Sequence, residues 1–186
     1  MRRNFCGILH LLSLLTSCLL GLPGSQAQII YTAGFTRLLQ EAEISYAMPV
    51  ENYLHVIMPP EDGFMAYALV LENDRGDFEV RYRFHDARES VVPAAVTVAG
   101  LIASIASNDP ETEIRIQVPA DTMLHTAFNA EKGLISYFTP KQEFSGKPYG
   151  AMINLSRSGR PAVDIVILYT DPAFNPELMF RTIRYR

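Results

Sequence analysis

The stretch FMAYALVLENDRGDFEVRYRF, residues 64–84, constrains the fold more than any other part of the chain. Two strand-length runs flank Asn73-Asp74-Arg75-Gly76-Asp77, a turn-type segment, and so short a connection joins antiparallel neighbours. In the second run Val80, Tyr82 and Phe84 alternate with Glu79, Arg81, Arg83 and His85. Period two predicts a strand with unlike faces, one apolar and buried, the other charged and wet.

The remaining pattern follows the same logic. Phe35, Leu38, Leu39 and Ala42 recur at helical spacing after Thr32, a side chain suited to an N-cap. Strands are predicted at 44–48, 52–58 and 113–118, the last with Ile114, Ile116 and Val118 inward. A short helix over 119–129 takes Asp121 as its cap and Leu124, Ala127 and Phe128 as its apolar face. LISYFTP is a strand, 140–148 is a loop, and YGAMINLS and AVDIVILYT form a hairpin around Arg157-Ser158-Gly159-Arg160-Pro161. NPELMFRTIRYR reads as a closing helix whose basic residues Arg181, Arg184 and Arg186 would complement the helix dipole.

Residues 91–107 carry no charge. Val98, Leu101, Ile102 and Ile105 form one helical stripe, and Ala95, Ala99, Ala103 and Ala106 a second, small-residue side. The expectation is a helix buried on both faces, too short to span a bilayer. The competing reading is a helix that docks a partner through its alanines. Hairpins joined by short turns, with helices between them, predict an α+β fold: a mostly antiparallel sheet covered by helices, in a single domain over residues 28–186. A chain of this length buries roughly two-thirds of its unfolded surface and needs no covalent staples.

The first 27 residues read as targeting signal. Arg2 and Arg3 precede the apolar run ILHLLSLLTSCLLGL, which breaks at Pro23-Gly24 before Ser25-Gln26-Ala27, with small residues where a signal peptidase cuts. Cleavage after Ala27 predicts an exported protein, periplasmic or secreted. The alternative is a lipobox at Leu15-Thr16-Ser17-Cys18, with Cys18 lipidated and the protein anchored to the envelope; the apolar residues after Cys18 weigh against it. Cys6 and Cys18 are the only cysteines, so a chain cut at Ala27 has no thiol, disulfide or cysteine metal site. Loss of Arg2 and Arg3 makes the remainder more acidic than the formal −4 of the whole chain, which argues against nucleic acid as a partner.

The early strand at ISYAMP, the 64–84 hairpin, the helix before EIRIQV and the final YGAMINLS/AVDIVILYT hairpin together resemble the PsbP-like superfamily. That superfamily includes small exported or lipidated bacterial proteins. The resemblance is one of element order over nearly the whole chain after the signal, with no motif of defined functional residues. It implies a non-enzymatic accessory or binding module.

Catalytic motifs do not emerge. His55, His85 and His125 lack metal-ligand spacing, and no G-x-S-x-G, SxxK, GxGxxG or P-loop pattern occurs. No cofactor and no metal are expected. The one constellation with shape is basic: Arg81, Arg83 and His85 on one side of a strand, with Arg115 on the polar side of EIRIQV. If those strands are neighbours, the four would clamp an anionic ligand. The competing expectation, and the favoured one, is a solvated face on which Glu79 and Glu113 pair with arginines. The functional expectation is therefore an exported, non-catalytic envelope module that binds a protein partner or small ligand. The alternatives are an interaction subunit that assembles through the 91–107 helix, and a hydrolase with an unrecognised site.

Overall fold

A computed structural model describes residues 32–48, 54–59, 63, 65–85 and 94–186. The expected signal segment, with Cys18 and the Ala27 cleavage site, lies outside the described residues.

Local chemistry sets the first element. Thr32 Oγ1 accepts a hydrogen bond from Phe35 N at 3.2 Å and caps helix α1, Ala33–Glu41, which buries Phe35. Strand β1 (Ile44–Tyr46) follows, then β2 (Leu54–Ile57), β3 (Leu69–Asn73) and β4 (Phe78–Phe84). Gly76 takes a φ of 70° in the β3–β4 turn, where a side chain would be strained. Helix α2 (Ala94–Ile105) leads to β5 (Arg115–Gln117). One helical turn, α3 (Asp121–Met123), runs into a π-helical turn at Leu124–Phe128 that ends on Asn129 in the left-handed region. Strands β6 (Lys132–Phe138), β7 (Tyr149–Ser156) and β8 (Val163–Tyr169) complete the sheet. The turn α4 (Glu177–Phe180) and strand β9 (Ile183–Tyr185) close the chain.

Seven strands form one antiparallel sheet in the order β2-β3-β4-β8-β7-β6-β5, and β1 pairs with β9 in a separate antiparallel ribbon. The mostly antiparallel, mixed α and β architecture agrees with the pattern of hairpins. Two local expectations at the short helical turns do not hold. The final segment is a single helical turn followed by a strand, because Ile183 and Tyr185 alternate with Arg184 and both turn inward on β9. Arg184 accordingly donates to Thr126 O within the π turn. Asp121 lies in the first turn of α3 rather than capping it; Ala120 holds the cap position.

The pairing registers assign every side chain to a face. Val70, Arg81, Val166 and Met152 line up on one face, which Val98, Leu101, Ile102 and Ile105 of α2 cover. The predicted stripe is therefore the buried one. The opposite side of α2 is not buried: Val96, Ala99, Gly100 and Ala103 are exposed. Leu71, Val80, Ile167 and Ala151 lie on the other face of the sheet. There Phe35 and Tyr46 meet the Tyr82 ring at 5.7 and 5.5 Å, and Tyr82 Oη lies 2.9 Å from Thr182 Oγ1. Both faces of the central strands are thus covered. Strand β5 is an edge, and Ile114, Ile116 and Val118 are exposed there instead of inward, Val118 by 74 %.

Candidate functional site

Strand β4 carries the predicted basic residues, and its neighbours decide what each can do. Glu79, Arg81 and Arg83 share the α2 side of the sheet, but that side is not a solvated face. Arg81 is 3 % exposed and Glu79 7 %. Period two determines which residues share a face; whether the face is wet depends on what packs over it.

Arg81 is held on every side. Its Nε donates to Glu79 Oε1, its other nitrogens approach Tyr67 Oη at 3.3 Å and Phe144 O at 3.4 Å, and its guanidinium sits over the Tyr67 and Phe144 rings at 5.1 and 4.6 Å. Burial alone would lower the Arg81 pKa, but the charge and hydrogen bond of Glu79 outweigh it and raise the pKa. Lys147 Nζ closes the group, 3.1 Å from Glu72 Oε1 and 3.6 Å from Glu79 Oε2. These charges satisfy one another inside the fold, a structural ion-pair network rather than an open anion clamp.

A second polar group occupies the far end of β4. Asp164 on β8 is fully buried and lies opposite both Arg83 and Asn154. Its carboxylate accepts from Asn154 Nδ2 at 2.6 Å and from His85 Nε2 at 2.7 Å. Arg83 is looser. Its nearest nitrogen is 3.7 Å from Asp164 Oδ2, too long for a hydrogen bond, and its side chain is 26 % exposed. No hydroxyl among the described residues is hydrogen-bonded to His85, so the His85–Asp164 pair does not extend to a nucleophile there.

Arg115 does not join this group. Strands β8, β7 and β6 separate β5 from β4. The registers Arg115–Tyr137, Tyr137–Ala151, Ala151–Ile167 and Ile167–Val80 also place Arg115 on the face opposite Arg81. There its guanidinium lies over the Tyr137 ring at 4.5 Å. Tyr137 Oη donates to Glu177 Oε1 at 3.0 Å. Burial, with that bond second, pushes the Tyr137 phenol up to about 12.

The four predicted residues therefore divide three ways: Arg81 in a closed buried network, Arg83 and His85 around Asp164, and Arg115 on an aromatic ring across the sheet. Neither Asp164 nor Asn154 is assigned to a site by the sequence, although Asn154 opens an Asn-Leu-Ser sequon on an apparent strand. The signal for them was faint but present: a polar residue inside each of the two apolar runs of the final hairpin, AMINLS and AVDIVIL, placed to face each other.

Among the described residues no group of three histidine, cysteine, aspartate or glutamate side chains is placed to hold a metal ion. No helix among them is long and apolar enough to cross a membrane, which says nothing of β-barrels. No family model, no curated protein and no solved structure matches the chain.

Proposed function

We propose that the chain is an exported, non-catalytic envelope module built on one α+β domain, whose helices cover the sheet, and that it binds a protein partner or small ligand through an anionic group docked at Arg83. The observation that carries this reading is the state of Arg83. Its guanidinium is drawn toward Asp164 without a hydrogen bond to it and is partly open to solvent. That leaves planar N–H donors for a carboxylate or phosphate, the geometry arginine recognises best. His85, fixed on Asp164, backs the same end of the strand. Arg81 and Arg115, once grouped with them, are assigned structural roles.

Export supports the compartment in this reading. It rests on the n-region, apolar run and Ser25-Gln26-Ala27 of the N-terminus, with lipidation at Cys18 as the alternative. The PsbP-like resemblance belongs to the same reading, supported by the order of elements rather than by any shared site. Intact-mass analysis of the exported protein tests the compartment: a chain starting at Gln28 is expected, and a diacylglyceryl adduct on Cys18 would replace secretion with anchoring. Capture from an envelope extract tests the binding. Arg83→Ala should leave melting nearly unchanged and remove a partner that the native chain retains; capture undiminished by the substitution would refute the site.

A second reading has its own observation. The outward side of α2 exposes Val96, Ala99, Gly100 and Ala103 without a charge among them. That is the surface an interaction subunit assembling through the 91–107 helix would use.

A further inference from the structure

A cleft of about 380 Å³ opens at the end of β4 and β8 remote from Arg83 and His85. Its wall is aromatic. Phe78 and Tyr169 are cross-strand partners, and Phe174, in the segment after β8, lies against both, stacked on Phe78 at 4.9 Å and tilted on Tyr169 at 5.3 Å. Its polar rim is acidic, with Asp77 before β4 and Asp171 after β8.

The backbone of this rim is fixed by its own hydrogen bonds. Phe78 N donates to Asn73 Oδ1 at 3.1 Å. Thr170 donates to Asp77 O through its N and its Oγ1, at 2.9 and 3.2 Å. Ala173 N donates to Asp171 Oδ1 at 2.8 Å. These contacts set the rim in place but neutralise nothing. Among the described residues the Asp77 carboxylate has no hydrogen-bond or ion-pair partner, and the Asp171 carboxylate has no cationic one. The contrast is with Glu72, Glu79 and Asp164, each of which meets a lysine, arginine or histidine.

We propose that this cleft is a binding site for a small organic cation, an ammonium or guanidinium group on an apolar body. Asp77 and Asp171 balance its charge, and the half-buried Phe174 ring, backed by the buried Phe78 and Tyr169 rings, receives its body. Aromatic rings attract a cation through their quadrupole and shed water from its hydrocarbon part, and carboxylates at the rim add a direct Coulomb attraction. A neutral polyol would use the same rings, but it needs donors as well as acceptors. Carboxylates supply acceptors only; the Asn73 amide N–H groups and the Tyr169 hydroxyl would serve a polyol as donors, but a neutral ligand would leave the charges of Asp77 and Asp171 unbalanced. The protein's net negative charge favours approach of a cation from a distance. This site is distinct from the one at Arg83: it lies at the other end of β4 and takes the opposite charge.

The test uses the full chain and three probes: choline, benzylamine and arginine methyl ester, each titrated at low salt with amide NMR shifts as the readout. Choline is paired with its uncharged isostere 3,3-dimethylbutan-1-ol. At least one cation should saturate, with shifts centred on Asp77, Phe78, Tyr169 and Phe174. If choline is among those that saturate, its isostere should bind about tenfold more weakly. The double variant Asp77→Asn/Asp171→Asn keeps the acceptor that caps Ala173 and so should melt as the parent does, while weakening every cation that binds by about tenfold or more. The proposal is overturned if no probe saturates by about 10 mM. It is also overturned if the isostere binds as well as choline, which would make the cleft merely apolar, or if the aspartate variant leaves affinity intact.

Discussion

Replacing Arg81 by methionine isolates the largest departure from the alternating pattern of β4. Methionine keeps much of the aliphatic volume and removes the charge. Glu79 then remains in a site where its side chain is 9 % exposed, without the guanidinium that donates to it. Removing one partner of a buried pair costs about 3–5 kcal/mol, chiefly through the stranded charge. Loss of the contacts with the Tyr67 and Phe144 rings adds to this, by roughly 0.5–2 kcal/mol. Lys147, 3.6 Å from the other Glu79 oxygen, offsets part of the loss. The expected cost is therefore about 3–4 kcal/mol, a fall in Tm of roughly 6–16 °C for a domain of this length. Urea denaturation followed by circular dichroism measures it. Glu79→Gln combined with Arg81→Met should recover most of the loss, with a coupling of about 2 kcal/mol or more in the double-mutant cycle. A single-variant cost below about 1 kcal/mol, the value of an exposed pair, would refute the buried network and restore the solvated face.

Other expectations follow from neighbouring features. Ile102→Asp places a carboxylate in the cluster formed by α2 with Val70, Met152 and Val166, and should lower stability by several kcal/mol, on the order of 3–5, in the same assay. Gly150→Ala should destabilise by roughly 1–3 kcal/mol, because an added Cβ would stand 2.6 Å from the Phe138 ring; a neutral result would show that the ring moves aside. Tyr137 should ionise near pH 12 by its absorbance near 295 nm. Its folded pKa lies above the unfolded value of about 10, so its contribution is complete below pH 10 and is lost as pH rises toward 12. Tyr137→Phe should flatten that part of the alkaline stability profile.

The hairpin of residues 64–84 was legible because its two signals, turn chemistry and alternation, are local. So were the cap at Thr32 and the buried stripe of α2, where spacing alone selects the residues. What failed was the step from a shared face to its surroundings. Arg81, Arg83 and His85 alternate as a wet face would, yet Tyr67 from the same hairpin and Phe144, distant in sequence, enclose the first of them. Ile114, Ile116 and Val118 alternate as a core strand would, yet β5 is last in the sheet and nothing among the described residues covers them. Rank within a sheet is set by long-range pairing, and no window of the sequence contains it. The separation of Arg115 from Arg81 is the same failure, since a four-residue clamp presupposed that β4 and β5 were neighbours. The cleft at Phe78 was invisible for a related reason: its third ring and second carboxylate come from the segment after β8.

Strand β9 has a consequence for the order in which the protein folds. Ser45 Oγ donates to Arg184 O across 139 positions of chain, and the β1–β9 ribbon that this bond belongs to lies beside the Phe35 and Tyr82 rings. Closing so large a loop is entropically slow, and the early ribbon strand has no partner until residues 183–185 are free to reach it. Helix α1 and strand β1, although made first, are thus among the last elements to be secured, and loss of residues 183–185 would leave them without the ribbon that holds them.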